Sequence, residues 1–499
     1  MITDTLSEPQ FLALAEQGHN RIPLVSVALA DLETPLSLYL KLAGGEPLSF
    51  LLESVVGGER FGRYSFIGLP ARTLLRCTRG VTEVVTDGAV VERFEGNPLD
   101  FIEAYQQRFQ VAPLPGLPRF CGGLAGYFGY ETVRYIEKKL ADTRLPGGMG
   151  TPDIQLLQTE ELAVIDNLSG RLYLIVHADP REAGAYARAV ARLAELTERL
   201  QRPVNAPPVK PSVTQPVERD YARADFEAAV LKAKDYIAAG DCMQIVIGQR
   251  LRKRYTEHPL SLYRALRSLN PSPYMYYYDM GGFQIVGASP EILVRQETRA
   301  VDGAPQQVVT IRPIAGTKPR GATPEADAKN EVDLLADPKE RAEHLMLIDL
   351  ARNDIGRIAQ TGTVKVTEAF GIERYSHVMH IVSNVEGVLK DGMRALDVLR
   401  ASFPAGTLSG APKIHAMEII DELEISERGI YGGAVGYLSF AGDMDVAIAI
   451  RTGIIKDQTL YVQAGAGVVA DSVPAAEWAE TEVKMRAVIR AAELVEAGF

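Results

Sequence analysis

"AGAGVVADSVPAAEWAE", Ala464 to Glu480, decides the fold class. It follows the strand-like "TLYVQ", and Gly465, Gly467 and Ala470 spell G-x-G-x-x-A, the fingerprint of the dinucleotide-binding turn in a doubly wound α/β sheet. Such a turn must run directly into a helix and be followed by a further strand with an acidic residue about 20 positions on. Here Val468 and Val469 favour extended chain, and Pro474 delays the helix. The dinucleotide reading fails. What the glycines still offer is a tight turn, or a close backbone approach whose free N–H groups hold an anion such as a carboxylate.

Working outward, no other stretch restores a regular βαβ period. "RPVNAPPVKPSVTQPV", 202–217, is proline-rich without apolar period and predicts an exposed, extended connector between a first part, 1–201, and a second, 218–499. The first part carries strand-like runs such as "RYSFIG", "GVTEVVTDG" and "RLYLIVHAD". It closes on a helix with Asp179 as cap, Pro180 in its first turn, and Val190, Leu193 and Leu196 at helical spacing. The second opens on a helix with Phe226, Val230, Ala233 and Ile237 on one face, ended by Gly240. Irregular alternation of strands and helices then predicts an α+β architecture with large sheets.

Composition narrows the function. At 499 residues and 46% hydrophobic, the chain supports one large or two ordinary cores. The N-terminus lacks a signal-peptide pattern and no apolar run is long enough to cross a membrane, which predicts a cytoplasmic protein. Cys77, Cys121 and Cys242 are far apart and predict reduced, buried thiols, with neither disulfide nor zinc. A net charge of -11 without a basic cluster argues against nucleic acid and anionic membranes, and for a small-molecule partner.

Paired carboxylates supply the first chemistry. Glu477 and Glu480 lie three apart on the helix after Pro474. In "ADPKERAEHLMLIDLARNDIGR", Asp337 and Pro338 open a helix on which Glu340 and Glu343 have the same spacing, so each helix presents two carboxylates from one face. Oxygen-only ligands from two helices suit a hard dication, magnesium above zinc. Glu340 equally fits the glutamate of a capping box. Arg451 lies in "VAIAIRTGII", a run apolar enough for a strand buried on both faces, and reads as a buried guanidinium that needs an anion, from the protein or from a substrate. Gln244 in "CMQIVIG" is an amide whose hydrogen bonds must be met inside or by a ligand. "GTLSGAPKIHAMEII" sets Thr407 and Ser409 before a helix begun by Pro412 and lacks the Walker A order.

Together "NPSPYM", "GASPE", "PIAGT", "EHLMLIDLARND", "YSHVMHIVS", "GTLSGAPK", "YGGAVGY", "IAIRT" and "QAGAGVVADS", all in one order between about 220 and 490, resemble the chorismate-utilising enzymes, most closely the anthranilate synthase component I branch. The resemblance implies large mixed or antiparallel sheets packed together with helices outside. It also implies conversion of chorismate and ammonia to anthranilate and pyruvate. Under it Glu343 and Glu480, with Glu340 and Glu477, hold Mg2+ against the ring carboxylate; Gly465, Ala466 and Gly467 meet a substrate carboxylate; Arg451 and Tyr431 bind the enolpyruvyl carboxylate; and Gly316 and Thr317 line the ring site. Glu291 of "GASPE" is the general acid for the departing hydroxyl, assisted by Thr407, and His380 is the base at C2. Read from its own surroundings, His380 is a hydrogen-bonded core histidine.

Two positions separate siblings. Water-adding members carry a lysine base where Gln244 stands, and those that leave nitrogen at C4 carry a nucleophilic lysine in place of Ala315; both residues here point to anthranilate. No G-x-C-x-G nucleophile elbow surrounds Cys121, so the resemblance implies a separate glutamine amidotransferase subunit and a hetero-oligomer. It further implies tryptophan feedback through Ser54 of "LLES" with Pro273, Tyr274 and Met275 of "NPSPYM", Met275 packing on the indole; the bland alternative for "PYMYYYD" is an aromatic core strand. A sensor without chemistry is the non-enzymatic alternative, and it gives no reason for Glu291, Glu343, His380, Thr407, Arg451 and Glu480 to stand together.

Overall fold

Period-2 burial organises the molecule. In the strand Tyr274–Asp279, Tyr276 and Tyr278 enter one core while Met275 and Tyr277 enter another, so the strand is apolar on both faces. A computed structural model describes residues 6–54, 62–375 and 378–499. Its strands form two antiparallel sheets of 12 strands each, stacked face to face.

The first sheet runs Ile22–Leu29, Arg171–Ala178, Glu161–Asp166, Tyr64–Gly68, Ser49–Glu53, Tyr274–Asp279, Gln284–Ser289, Thr452–Lys456, Thr459–Val468, Gln244–Arg254 and Val217–Arg219, with the short Gly410–Ala411 also paired to Gln244–Arg254. The second runs Ile314–Pro319, Val378–Val388, Ala304–Ile311, Ile292–Val301, Met444–Ile448, Ala434–Ser439, Gly123–Phe128, Ile154–Thr159, Thr73–Thr78, Val81–Thr86 and Ala89–Glu95, with Lys365–Arg374 beside Val378–Val388. Phe50, Phe66, Tyr276 and Tyr278 of the first sheet meet Ala125, Tyr127, Leu157 and Tyr437 of the second. Helices cover the outer faces: Ala185–Arg199, Pro259–Leu269 and Pro474–Glu496 over the first, Pro98–Gln106, Pro338–Gly356 and Ala395–Ser402 over the second. The expected α+β sandwich with helices outside is what forms.

The connector carries neither helix nor strand over 203–216, and strands from both sides of it share both sheets. Among the described residues no helix is long and apolar enough to cross a membrane. The thiols are free, Cys77 and Cys242 buried and Cys121 half-buried.

Local expectations held where the cause was local. Gly240, at φ 89°, ends the helix Arg223–Ala239 as a left-handed cap. They failed where a distant partner intervened. The Asp179 carboxylate is taken by Arg21 and Arg181, so the helix begins only at Ala185, with Gly184 at its N-cap, and Val190 faces out while Leu193 and Leu196 are buried. "VAIAIRTGII" is not one strand. It splits into Met444–Ile448 of the second sheet and Thr452–Lys456 of the first, and Arg451 stands at the crossover with φ 50°. Glu291 stands at the neighbouring crossover, between Gln284–Ser289 and Ile292–Val301. The two crossovers are tied together, Ile448 N–H to the Glu291 carbonyl at 3.0 Å and Ala288 N–H to the Arg451 carbonyl at 3.2 Å. Polar groups thus gather at the corner where the chain changes sheets.

Candidate active site

The glycines of the opening stretch form neither loop nor turn. Gly465, Ala466 and Gly467 are the last part of the strand Thr459–Val468, opposite Gly248, Ile247 and Val246. Among the described residues no further strand meets the other edge of this strand beyond Val462, and the Gly465 carbonyl on that edge accepts from Lys484 Nζ at 2.8 Å. N–H and C=O of one residue point the same way, so Gly465 and Gly467 turn their N–H groups to that open edge. A Cβ on Gly467 would lie 2.4 Å from Gln244 Nε2, and one on Gly465 would lie 3.0 Å from the Tyr431 hydroxyl. Glycine is required because two polar side chains lie against the bare backbone.

One continuous set of contacts joins the residues singled out. Thr407 Oγ1 donates to Glu291 Oε1 at 3.3 Å. Burial pushes the Glu291 carboxyl up to about 8, against the pull of Thr407, Lys484 and Arg451, so it is protonated at neutral pH. Lys484 Nζ also pairs with Glu480 at 2.7 Å, on the helix Pro474–Glu496. Across from it, Asp337 caps the helix Pro338–Gly356 by accepting from Lys339 and Glu340 N–H. Glu340 gives only its N–H to that cap, so its carboxylate is not spent in a capping box. A Cβ on Gly316 would lie 3.1 Å from Glu340 Oε2, and the Gly316 carbonyl accepts from His380 Nδ1 at 2.9 Å. Thr317 Oγ1 is 3.1 Å from the same nitrogen. A carbonyl partner assigns the proton to Nδ1, which leaves Nε2 as the basic nitrogen. Burial holds His380 below its ordinary value, with the Arg451 charge adding to the effect, so the ring is a neutral base.

Among the described residues Arg451 makes no ion pair or side-chain hydrogen bond; it has electrostatic neighbours only, Glu291 and Tyr375, and burial lowers its pKa. Of the two anions open to it, the protein supplies none. Gln244 Oε1 is likewise buried without a hydrogen-bond partner among the described residues.

The four carboxylates form an acidic rim. Burial raises Glu343, and the charges of Glu340 and Glu480 raise it further; Glu340 and Glu477 are also raised first by burial, with Glu480 contributing to each. Among the described residues no three acidic or imidazole groups are drawn into closed metal-binding geometry, and Glu480 rests on Lys484. An oxygen-only set whose members repel one another is the donor chemistry a hard dication complements. Lys484 belongs to the site and escaped the sequence reading, because a lysine four after a glutamate reads as a solvated helix pair.

Ser54, Pro273, Tyr274 and Met275 meet elsewhere, around a cavity of about 50 Å3 between the sheets that Arg119, Arg295 and Asp445 also line. Tyr274 donates to Asp445 at 3.1 Å. Met275 lines this cavity, and its side chain also packs with the helix-covered core.

Comparisons with known proteins agree with this picture. The family model for chorismate binding enzymes matches residues 71–490. The chain is 58% identical over 497 residues to anthranilate synthase component 1 of Neisseria meningitidis serogroup A, covering 99% of each. It is 56% identical over 499 residues to that of Pseudomonas aeruginosa, covering 98% of this chain and 99% of the other. The crystal structure of anthranilate synthase component I from Streptococcus pneumoniae is 37% identical and superposes with a TM-score of 0.76 over 93% of this chain and 99% of that one. Matched by the family model over residues 71–490 and by its relatives end to end, this chain belongs to the chorismate binding enzyme family.

Proposed function

We propose that the chain is the component I of an anthranilate synthase, converting chorismate and ammonia to anthranilate, pyruvate and water. Arg451 carries the reading: a buried guanidinium without a protein anion, in electrostatic reach of a protonated Glu291 and a neutral His380, asks for a substrate carboxylate beside an acid and a base. The names of its relatives support the same product.

In the first step ammonia bonds to ring C2 while the C4–O bond breaks, and Glu291 gives its proton to the departing hydroxyl, which leaves as water. Thr407 steadies the acid. In the second, His380 Nε2 removes the C2 proton, the C3–O bond breaks as the ring becomes aromatic, and the enolpyruvyl group leaves as pyruvate. Arg451 and Tyr431 bind the enolpyruvyl carboxylate, the Gly465–Gly467 edge meets a substrate carboxylate through its N–H groups, and Gly316 and Thr317 line the ring site. Gln244 is an amide and cannot serve as the base that water addition requires. Glu343 and Glu480, with Glu340 and Glu477, would hold Mg2+. The ion supplies electrostatic positioning of the ring carboxylate.

Ammonia comes from a glutamine amidotransferase subunit in a hetero-oligomer; the word component in the relatives' names supports this. Tryptophan inhibits through the cavity at Ser54, Pro273, Tyr274 and Met275, where Asp445 and two arginines complement an ionised amino acid. About 50 Å3 holds little more than a water or two, so an indole enters only as the walls move. Tyr274 faces Ser289 in register, and the Ser289 hydroxyl contacts the Glu291 backbone at 3.2 and 3.3 Å, a short path from that cavity to the acid. The coupling expected is about 1–3 kcal/mol.

Anthranilate fluorescence from purified chain, chorismate, magnesium chloride and ammonium chloride tests the reading, with EDTA and Glu480→Gln as controls. Magnesium-dependent fluorescence is expected. Chorismate consumed without fluorescence would move the assignment to a sibling reaction.

A further inference from the structure

A second charged pair lies beneath the site, and it is buried. Arg428, 2% exposed, sits four residues after Glu424. Its Nε is 3.0 Å and 3.2 Å from the two Glu424 oxygens, and its Nη2 is 2.6 Å from Oε1. The remaining donors go to backbone: Nη1 to the Leu408 carbonyl at 2.6 Å and Nη2 to the Val246 carbonyl at 2.9 Å. The guanidinium stacks on Tyr130 at 4.6 Å and lies 5.7 Å from the Tyr431 ring. Glu424 Oε1 accepts in turn from Gly248 N–H at 2.7 Å.

Apart from Tyr130, each of these partners either belongs to the proposed reaction's own groups or is one step from one. Leu408 follows Thr407. Val246 is opposite Gly467 and Gly248 opposite Gly465 in the strand pair. Tyr431 lies against Gly465. A planar fork with fixed donor directions sets angles as well as distances, which an ammonium cannot do. We infer that Glu424 and Arg428 are positioning residues that lock the Thr407 turn, the glycine strand and Tyr431 into one register, so that substrate binding depends on a pair that never touches substrate. This rests on the chorismate reading above.

A purely structural pair offers the comparison. Lys253 and Glu496, 0% and 3% exposed and 2.8 Å apart, tie the far end of the same strand to the last helix. Arg428→Lys keeps the charge and loses the fork. Gly248→Ala keeps both charges and, at an ordinary backbone angle, places a methyl 2.9 Å from Glu424 Oε1. With chorismate, magnesium and ammonium chloride, both variants should raise KM for chorismate and lower kcat/KM by about a hundredfold, the scale of an active-site displacement near 1 Å. Glu496→Gln should lower Tm while leaving KM at the wild-type value, because loss of folded protein reduces turnover and not affinity. An unchanged KM in folded Arg428→Lys or, should that variant not fold, in Gly248→Ala would overturn the positioning role while wild-type turnover upholds the functional reading. Wild type without chorismate turnover would overturn both.

Discussion

A charge buried without a partner costs free energy, and Arg451 bears that cost in the absence of ligand. Arg451→Gln should therefore divide two properties that usually fall together. Substrate binding should weaken by about 3 kcal/mol, roughly a hundredfold in kcat/KM, while Tm stays level or rises. Steady-state kinetics beside a thermal melt checks this, and a fall in Tm would show that the guanidinium supports the fold. Glu291 and His380 set the pH response. Raised to about 8, Glu291 is the required acid below that pH, so activity should decline as pH climbs past about 8. His380, held below its ordinary value near 6.5, is the required neutral base above its own pKa, so the acid limb should lie below about 6.5. Rates at fixed free ammonia check both limbs. Glu291→Gln should cost on the order of 10²–10⁴ in kcat and abolish the alkaline limb.

At the level of elements, the acidic rim depends on how one helix begins. Asp337 closes the first turn that carries Glu340, and Asp337→Ala should cost about 1 kcal/mol and raise the magnesium needed for half-maximal activity. A lowered melt with unchanged magnesium dependence would detach the rim from the ion. Such helix starts were legible in sequence because cap, proline and i,i+3 spacing are neighbours along the chain. The sheets were less so. Gly465 and Gly467 left a turn and a close backbone approach both open because nothing within "AGAGVV" reveals the strand Gln244–Arg254, more than two hundred residues earlier, that extends them. Arg451 read as the middle of a strand because an apolar run shows burial and not a change of sheet. The acid, base and arginine roles came from family likeness; the residues alone left His380 a core histidine. Lys484 and the Glu424–Arg428 pair gave no signal, since opposite charges four residues apart read as solvated and the backbone atoms they also bind belong to other elements.

For the molecule as a whole, shared sheets predict shared stability. Cutting the exposed connector, for example by trypsin at Arg202 or Lys210, should give two fragments that co-elute under native conditions and keep anthranilate-forming activity, because strands from each complete both sheets. Size-exclusion chromatography of the nicked protein decides it, and separate fragments would mean two independent bodies. Replacing Tyr278 in the core between the sheets by alanine should destabilise by about 3–5 kcal/mol in one transition.

The strand order also bears on how the chain is made. Gln284–Ser289 and Gln244–Arg254 are separated in the first sheet by Thr452–Lys456 and Thr459–Val468, which leave the ribosome last among its strands. At about 5–20 residues per second, the earlier strands wait on the order of ten seconds with open edges before their partners emerge. Translation at low temperature slows that wait and weakens hydrophobic association together. The yield of soluble protein should accordingly respond more to chaperone supply during synthesis than to any change at the active site.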